Sequence, residues 1–215
     1  MPPLEKKKNK SLQWFKYGFG SVVVLLLAYN SVYFRKLDEV KAEASGKFNA
    51  AAFAENFLAK QLSPQLESAP DIDALVTLLT ADKNKAFAIY SHATAVGNIR
   101  YFLVKGQGQI TEIRENEVAV QTPKNQLILA TEFIYGNALR DASGQFDITK
   151  FTKTADINNV SSELNKIIRN KVAAPFKAKA KAGDKLQFSG AIELNIERLN
   201  LKNIEVIPAT IQVIK

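Results

Sequence analysis

The 215-residue chain has no cysteine, one histidine and one tryptophan. Without cysteine there is no disulfide, no thiolate zinc site, no cysteine nucleophile and no thiol-linked lipid. A lone histidine, His92, excludes a multi-histidine metal centre. Surplus charge is also scarce over most of the chain. The net charge is +8, but five of the 29 basic residues and only one of the 21 acidic ones fall within residues 1–34. The mild excess left in the remainder does not call for a nucleic-acid partner. Apolar residues make up 47% and charged residues 23%, the proportions of a folded globular protein.

The start of the chain is organised differently. "KKKNKSLQWFKYGFGSVVVLLLAYNSVYFRK" places a lysine cluster before an uncharged span from Tyr17 to Phe34, which Arg35 and Lys36 close. As a helix this span covers roughly 27 Å, enough to cross a bilayer core. Trp14, Tyr17, Tyr29 and Tyr33 lie near its ends, where amphipathic rings suit the membrane interface. The heavier positive flank comes first, so the N-terminus is expected to stay cytoplasmic and the bulk to be exported. A cleaved signal peptide shares the basic start and the apolar run, but "AYNSVYF" puts bulky or polar residues where small ones are needed for cleavage. A retained anchor over residues 1–34, single-pass in the inner membrane, is the reading adopted, with cleavage as its alternative.

Residues 35–95 read as a helical segment. Phe53 and Phe57 are spaced i, i+4 in an alanine-rich run, and Ser63-Pro64 is expected to break it. Asp71 is a candidate N-cap for a helix carrying Ile72, Leu75, Leu78 and Leu79 on one stripe, and "ADKNKAFAIYSHA" follows as a short helix. After Gly97 the period becomes two. "NIRYFLVKGQGQITEI" alternates, with Gly106 and Gly108 permitting a bend, and "EVAVQT" and "NQLILATEFIY" succeed it. Ile157, Val160, Leu164, Ile167, Ile168 and Val172 form a helical stripe that Asp156 is placed to cap. "LQFSGAIELN" and "EVIPATIQVI" end the chain, Pro208 marking an edge or bulge. Three strands, a helix and two strands are the order of an OB-like five-stranded barrel. The expected class is thus α+β: a membrane helix, a helical subdomain, and a barrel over 96–215 with its helix between strands three and four.

"YFRKLDEV", "RYFLVKGQG", "YGNALRDASGQFD", "SSELNKI", "VAAPFKAKAKAGDKLQFSGAIELN" and "EVIPATIQV" together resemble the domain-of-unknown-function 2291 family, from about Val32 onward. Its members are predicted periplasmic lipoproteins of bacteria. The resemblance implies a small barrel joined to a helical part, and genomic company with sugar-type ABC transporters. It brings no catalytic residues. A lipoprotein signal ends in a cysteine, which this sequence lacks, so the uncleaved helix is the expected substitute.

The densest polar passage is "IYGNALRDASGQFDITKF", residues 134–151. At a barrel rim, Arg140 could hold a carboxylate or phosphate in two parallel hydrogen bonds, while Asn137, Asp141 and Ser143 orient hydroxyl groups. That chemistry suits a small polar ligand such as a sugar. The competing reading is structural: Asp141 to Gly144 as an Asx-type turn, with Arg140 paired to Asp141 or Asp156. Elsewhere, "KGQGQ" lacks the lysine and the strand-to-helix setting of a phosphate loop. Ser143 and Lys150 belong to no serine-nucleophile motif. The strand aromatics Tyr101, Phe102, Phe133 and Phe188 are expected mostly in the core, which disfavours single-strand nucleic-acid binding. The functional expectation is a non-catalytic, extracytoplasmic, membrane-anchored protein without cofactor or metal. Its partners would be a small ligand and an ABC transporter or its solute-binding protein. Nucleic-acid binding and hydrolysis of an envelope polymer are the alternatives.

Overall fold

The alternation in residues 99–113 becomes one 15-residue strand that serves two neighbours in a computed structural model describing residues 48–94 and 96–214, with the isolated positions Trp14 and Gly20. The strands are β1 (Ser91–His92), β2 (Ile99–Ile113), β3 (Glu117–Gln121), β4 (Gln126–Ala130), β5 (Lys185–Asn195) and β6 (Ile204–Ile214). β2 pairs antiparallel with β5 from Ile99↔Asn195 to Gln109↔Lys185, and its far end pairs with β3 across a bulge between Ile110 and Glu112. The handover requires glycine. A Cβ on Gly106 would stand 2.8 Å from the Ile72 side chain, and one on Gly108 would stand 2.6 Å from Val120. β3 pairs with β4, β4 runs parallel to β6, and β6 pairs antiparallel with β5, so the circuit β2-β3-β4-β6-β5 closes on itself. Closure removes the sheet edges within that circuit.

Two helical layers use the barrel differently. Inward side chains of alternate residues, among them Phe102, Val104, Val120, Leu129, Leu186, Phe188 and Val206, fill the interior. That same core includes Ile72, Leu75, Val76 and Leu79 of α3 (Ile72–Ala81) and Phe87 of α4 (Lys83–Tyr90), with Phe87 edge-on to Phe102 at 5.1 Å. Asp71 caps α3 as expected, accepting from the backbone N–H groups of Asp73 and Ala74. The second layer covers outward residues Leu103, Ala191 and Ala209 with α1 (Ala50–Phe57), α5 (Ala138–Ala142) and α6 (Thr154–Ile168). Phe48, Phe53, Phe57, Phe146 and Phe151 meet there with ring centroids 5.1–6.4 Å apart. The helical phenylalanines are therefore packing residues, each ring pair contributing about 0.5–1.5 kcal/mol beyond its buried area. α6 lies between the third and fourth barrel strands, where the stripe placed it.

Several local expectations are corrected. Ser63-Pro64 does not break the first helix. A π turn, Leu58–Leu62, leads directly into α2 (Ser63–Ser68), and the Ser63 hydroxyl donates to the Leu58 carbonyl at 2.7 Å. The second helix repeats the device: a π turn at Arg169–Ala173 precedes α7 (Ala174–Lys177), which carries Pro175. Proline lacks an N–H and clashes with the carbonyl four residues back; one wider turn relieves both problems and lets the helix continue. α6 begins at Thr154 with Lys153 at its N-cap, so Asp156 sits in the first turn rather than at the cap. The Asp141–Gly144 turn is the end of α5, and Phe133 is exposed rather than in the core. Pro208 lies at a register shift, as anticipated, opposite Gly190. The expected membrane helix lies outside the described residues, and among the described residues no helix is long and apolar enough to cross a membrane.

Candidate functional site

The 134–151 passage folds inward. Arg140, Asp141 and Ser143 are all buried. Arg140 Nε donates to Asp141 Oδ1 at 2.6 Å, its Nη1 donates to the Ser161 hydroxyl at 2.9 Å, and its guanidinium lies 4.8 Å from the Phe146 ring centre. The Ser143 hydroxyl donates to the Arg140 carbonyl and accepts from the Gln145 N–H. Gly144, at φ +63°, passes beneath His92, whose ring would be 2.6 Å from any Cβ there. Arg140 thus ties α5 to α6, while Asp141 and Ser143 are satisfied within their own segment. Asn137 alone reaches a hollow, shared with residues of α6.

The larger opening is elsewhere, and it follows from the register of the sheet. On the outward face, Leu103, Ala191 and Ala209 lie beneath the second helical layer. One step further along the strands the apolar positions give way to two cross-strand polar rows: Lys105–Ser189–Thr210, then Gln107–Gln187–Gln212. Covering such rows with apolar helix would strand their hydrogen-bonding groups, and the helices stop short. The result is a cleft of about 970 Å³, walled by α2, the start of α3 and the β3–β4 turn. Pro123 adds exposed apolar lining, and Phe188 borders the cleft from within the barrel core.

Two of the three acids at this cleft are occupied by structure, and the third, Glu67, is exposed at its edge. Asp71 is the helix cap. Asp73 is buried: its Oδ1 accepts from the Thr122 hydroxyl and the Asn125 amide, both at 2.6 Å, and its Oδ2 accepts from the Lys124 N–H. This carboxylate therefore pins the Pro123–Lys124 rim to α3. Across the strands the Gln187 amide donates to Gln212 Oε1 at 3.0 Å, and the hydroxyls of Ser189 and Thr210 share a 2.7 Å bond. Lys105 Nζ donates to the Glu67 carbonyl at 2.7 Å. The strand floor offers neutral amides and hydroxyls, able both to donate and to accept, while Glu67, Lys105 and Lys124 stand around it. The strand alternation contained these rows, but the surrounding cleft depends on where α2 ends, which no single segment announces.

Other polar groups form no such site. Glu205 lies near Glu117 and Glu193, and burial, followed by repulsion from those two, holds its carboxyl above the usual range. Burial, with Glu193 and Asp141 nearby, raises the Tyr101 phenol in the same way. Among the described residues no group of three or more histidine, cysteine or acidic side chains could hold a metal ion.

Among solved structures, the chain is similar to the crystal structure of an OB-fold protein from Thermotoga maritima, with a TM-score of 0.72 and 24% identity over 78% of this chain and 99% of that one. That likeness shows the fold. No curated protein matches at a significant level. Residues 22–212 match the family described as "Predicted periplasmic lipoprotein (DUF2291)", a description that supports an extracytoplasmic location. With nearly the whole barrel and both helical layers inside that match, the chain belongs to this family of predicted periplasmic lipoproteins of unknown function.

Proposed function

We propose that the protein is a non-catalytic extracytoplasmic binding protein, tethered to the inner membrane by the helix expected at 17–34. Its ligand is small, polar and uncharged, such as a sugar, held in the cleft over Lys105, Gln107, Gln187 and Gln212. The observation that carries this reading is the pair of polar rows left open where the helical cover ends. At about 970 Å³ the cleft lies at the upper end of the range for small-molecule sites. Its amides match hydroxyl groups, which donate and accept at once, and the exposed Pro123 ring in the lining suits ring carbons. In this reading the protein assists a sugar-type ABC uptake system, contacting the transporter or its solute-binding protein.

The test uses the full chain in detergent or nanodiscs. Titration calorimetry against neutral mono- and disaccharides should show a saturable tight phase, well below millimolar, that Gln187→Ala and Gln212→Ala abolish. Affinity purification from membranes should bring down transport components. Sugar binding unaffected by both substitutions, or preferential retention of single-stranded DNA, would refute the assignment.

A further inference from the structure

We propose a second, separate site: an aromatic shelf beside α6 that takes a single pyranose ring. Phe133 and Tyr135 are 57% and 65% exposed, although the intervening Ile134 is fully buried. Their rings lie nearly parallel, 21° apart with centroids at 6.3 Å, so two exposed aromatic faces stand side by side in solvent. The mounting is firm. Arg169 Nη1 donates to the Ile134 carbonyl at 2.6 Å, and its guanidinium lies 5.4 Å from the Tyr135 ring centre. Asn165 donates to the Gly136 carbonyl at 2.9 Å. Large aromatic side chains held rigid in solvent lose little freedom on binding, so a flat apolar ligand face gains most of the contact.

Next to the shelf is a hollow of about 300 Å³, lined by Asn137, Asn158, Ser161, Ser162 and Asn165 as well as Tyr135 and Arg169. Asn158, Ser162 and Asn165 of α6 and Arg169 at its C-terminal cap recur at steps of three and four, so one side of the helix presents them together. Among the described residues, the side chains of Asn137, Asn158 and Ser162 make no hydrogen bond. A pyranose has an apolar C–H face and a rim of hydroxyls, and this arrangement offers rings to the first and amides and hydroxyls to the second. The volume lies at the bottom of the small-molecule range, matching one ring. No acid lines the hollow, and Arg169 is already engaged with Ile134 and Tyr135, so the site favours neither a cation nor a phosphate chain. It shares no residue with the large cleft.

The experiment is saturation-transfer difference NMR on the full chain in nanodiscs, with methyl glucoside and maltose at tens of millimolar. The expected result is saturation on the C–H face of one ring, with binding weakened roughly tenfold or more by Tyr135→Ala. Phe133→Ala and Asn158→Ala should weaken it less, the melting temperature staying unchanged because all three side chains are exposed. Gln212→Ala should leave this signal intact. If Gln212→Ala removes the sugar signal and Tyr135→Ala does not, the sugar sits in the large cleft alone and the shelf is refuted. Absence of any transfer, or a single-stranded oligonucleotide perturbing the shelf where sugars do not, refutes it too.

Discussion

Two polar concentrations in this molecule have opposite physical status. Around Arg140, the guanidinium, the Asp141 carboxylate and the Ser143 hydroxyl are buried, and each has found its partner within the helices it joins. Around Gln187 the amides and hydroxyls lie on a strand face where the helical layer has ended, and they pair chiefly with one another. Crowding of polar residues is common to both. Availability to a ligand is decided by what is packed above them.

The largest effect should come from the buried pair. Arg140→Ala leaves Asp141 charged and unpartnered, and urea denaturation should show a loss of about 3–5 kcal/mol, much of it recovered by replacing both residues with apolar ones of similar volume. Equal stability with loss of sugar binding would invert the comparison. Gly190→Ala should follow, since its Cβ would stand 2.2 Å from the Ile207 carbonyl oxygen; a loss of roughly 1–3 kcal/mol is expected in the same assay. Asp73→Ala frees the Thr122 and Asn125 donors, lowering stability by about 1–3 kcal/mol and speeding amide exchange at Lys124. By contrast, Gln187→Ala and Gln212→Ala should change stability by no more than about 0.5 kcal/mol while removing cleft binding. The smallest effect concerns Glu205. Its folded-state carboxyl titrates above the ordinary range, so stability should fall as pH rises through the interval between the ordinary and raised values. Glu205→Gln should remove that fall, raising the melting temperature slightly at neutral pH and leaving it unchanged in acid.

Much of the architecture was legible in residue periodicity. Alternation located every strand of the barrel, and the stripe from Ile157 to Val172 located the helix between its third and fourth strands. The two β2 glycines were legible as special positions, but what they accommodate is the close approach of Ile72 and Val120, and the bulge lies beyond them between Ile110 and Glu112. Less could be read where one local rule overrode another. Proline marks a helix end in sequence, yet a wider turn before Pro64 and Pro175 lets both helices continue. Phe133 looked like a core residue because its neighbours alternate, but the strand ends at Ala130 and its ring faces solvent. The polar rows of the cleft join β2 to the distant strands β5 and β6, so their convergence appears only once the register is known.

Strand β6 touches both β4 and β5, so the ring cannot be completed without the final stretch from Ile204 to Ile214. During synthesis in N-to-C order the barrel therefore stays open until β6 is available, and its closure is a late, long-range step.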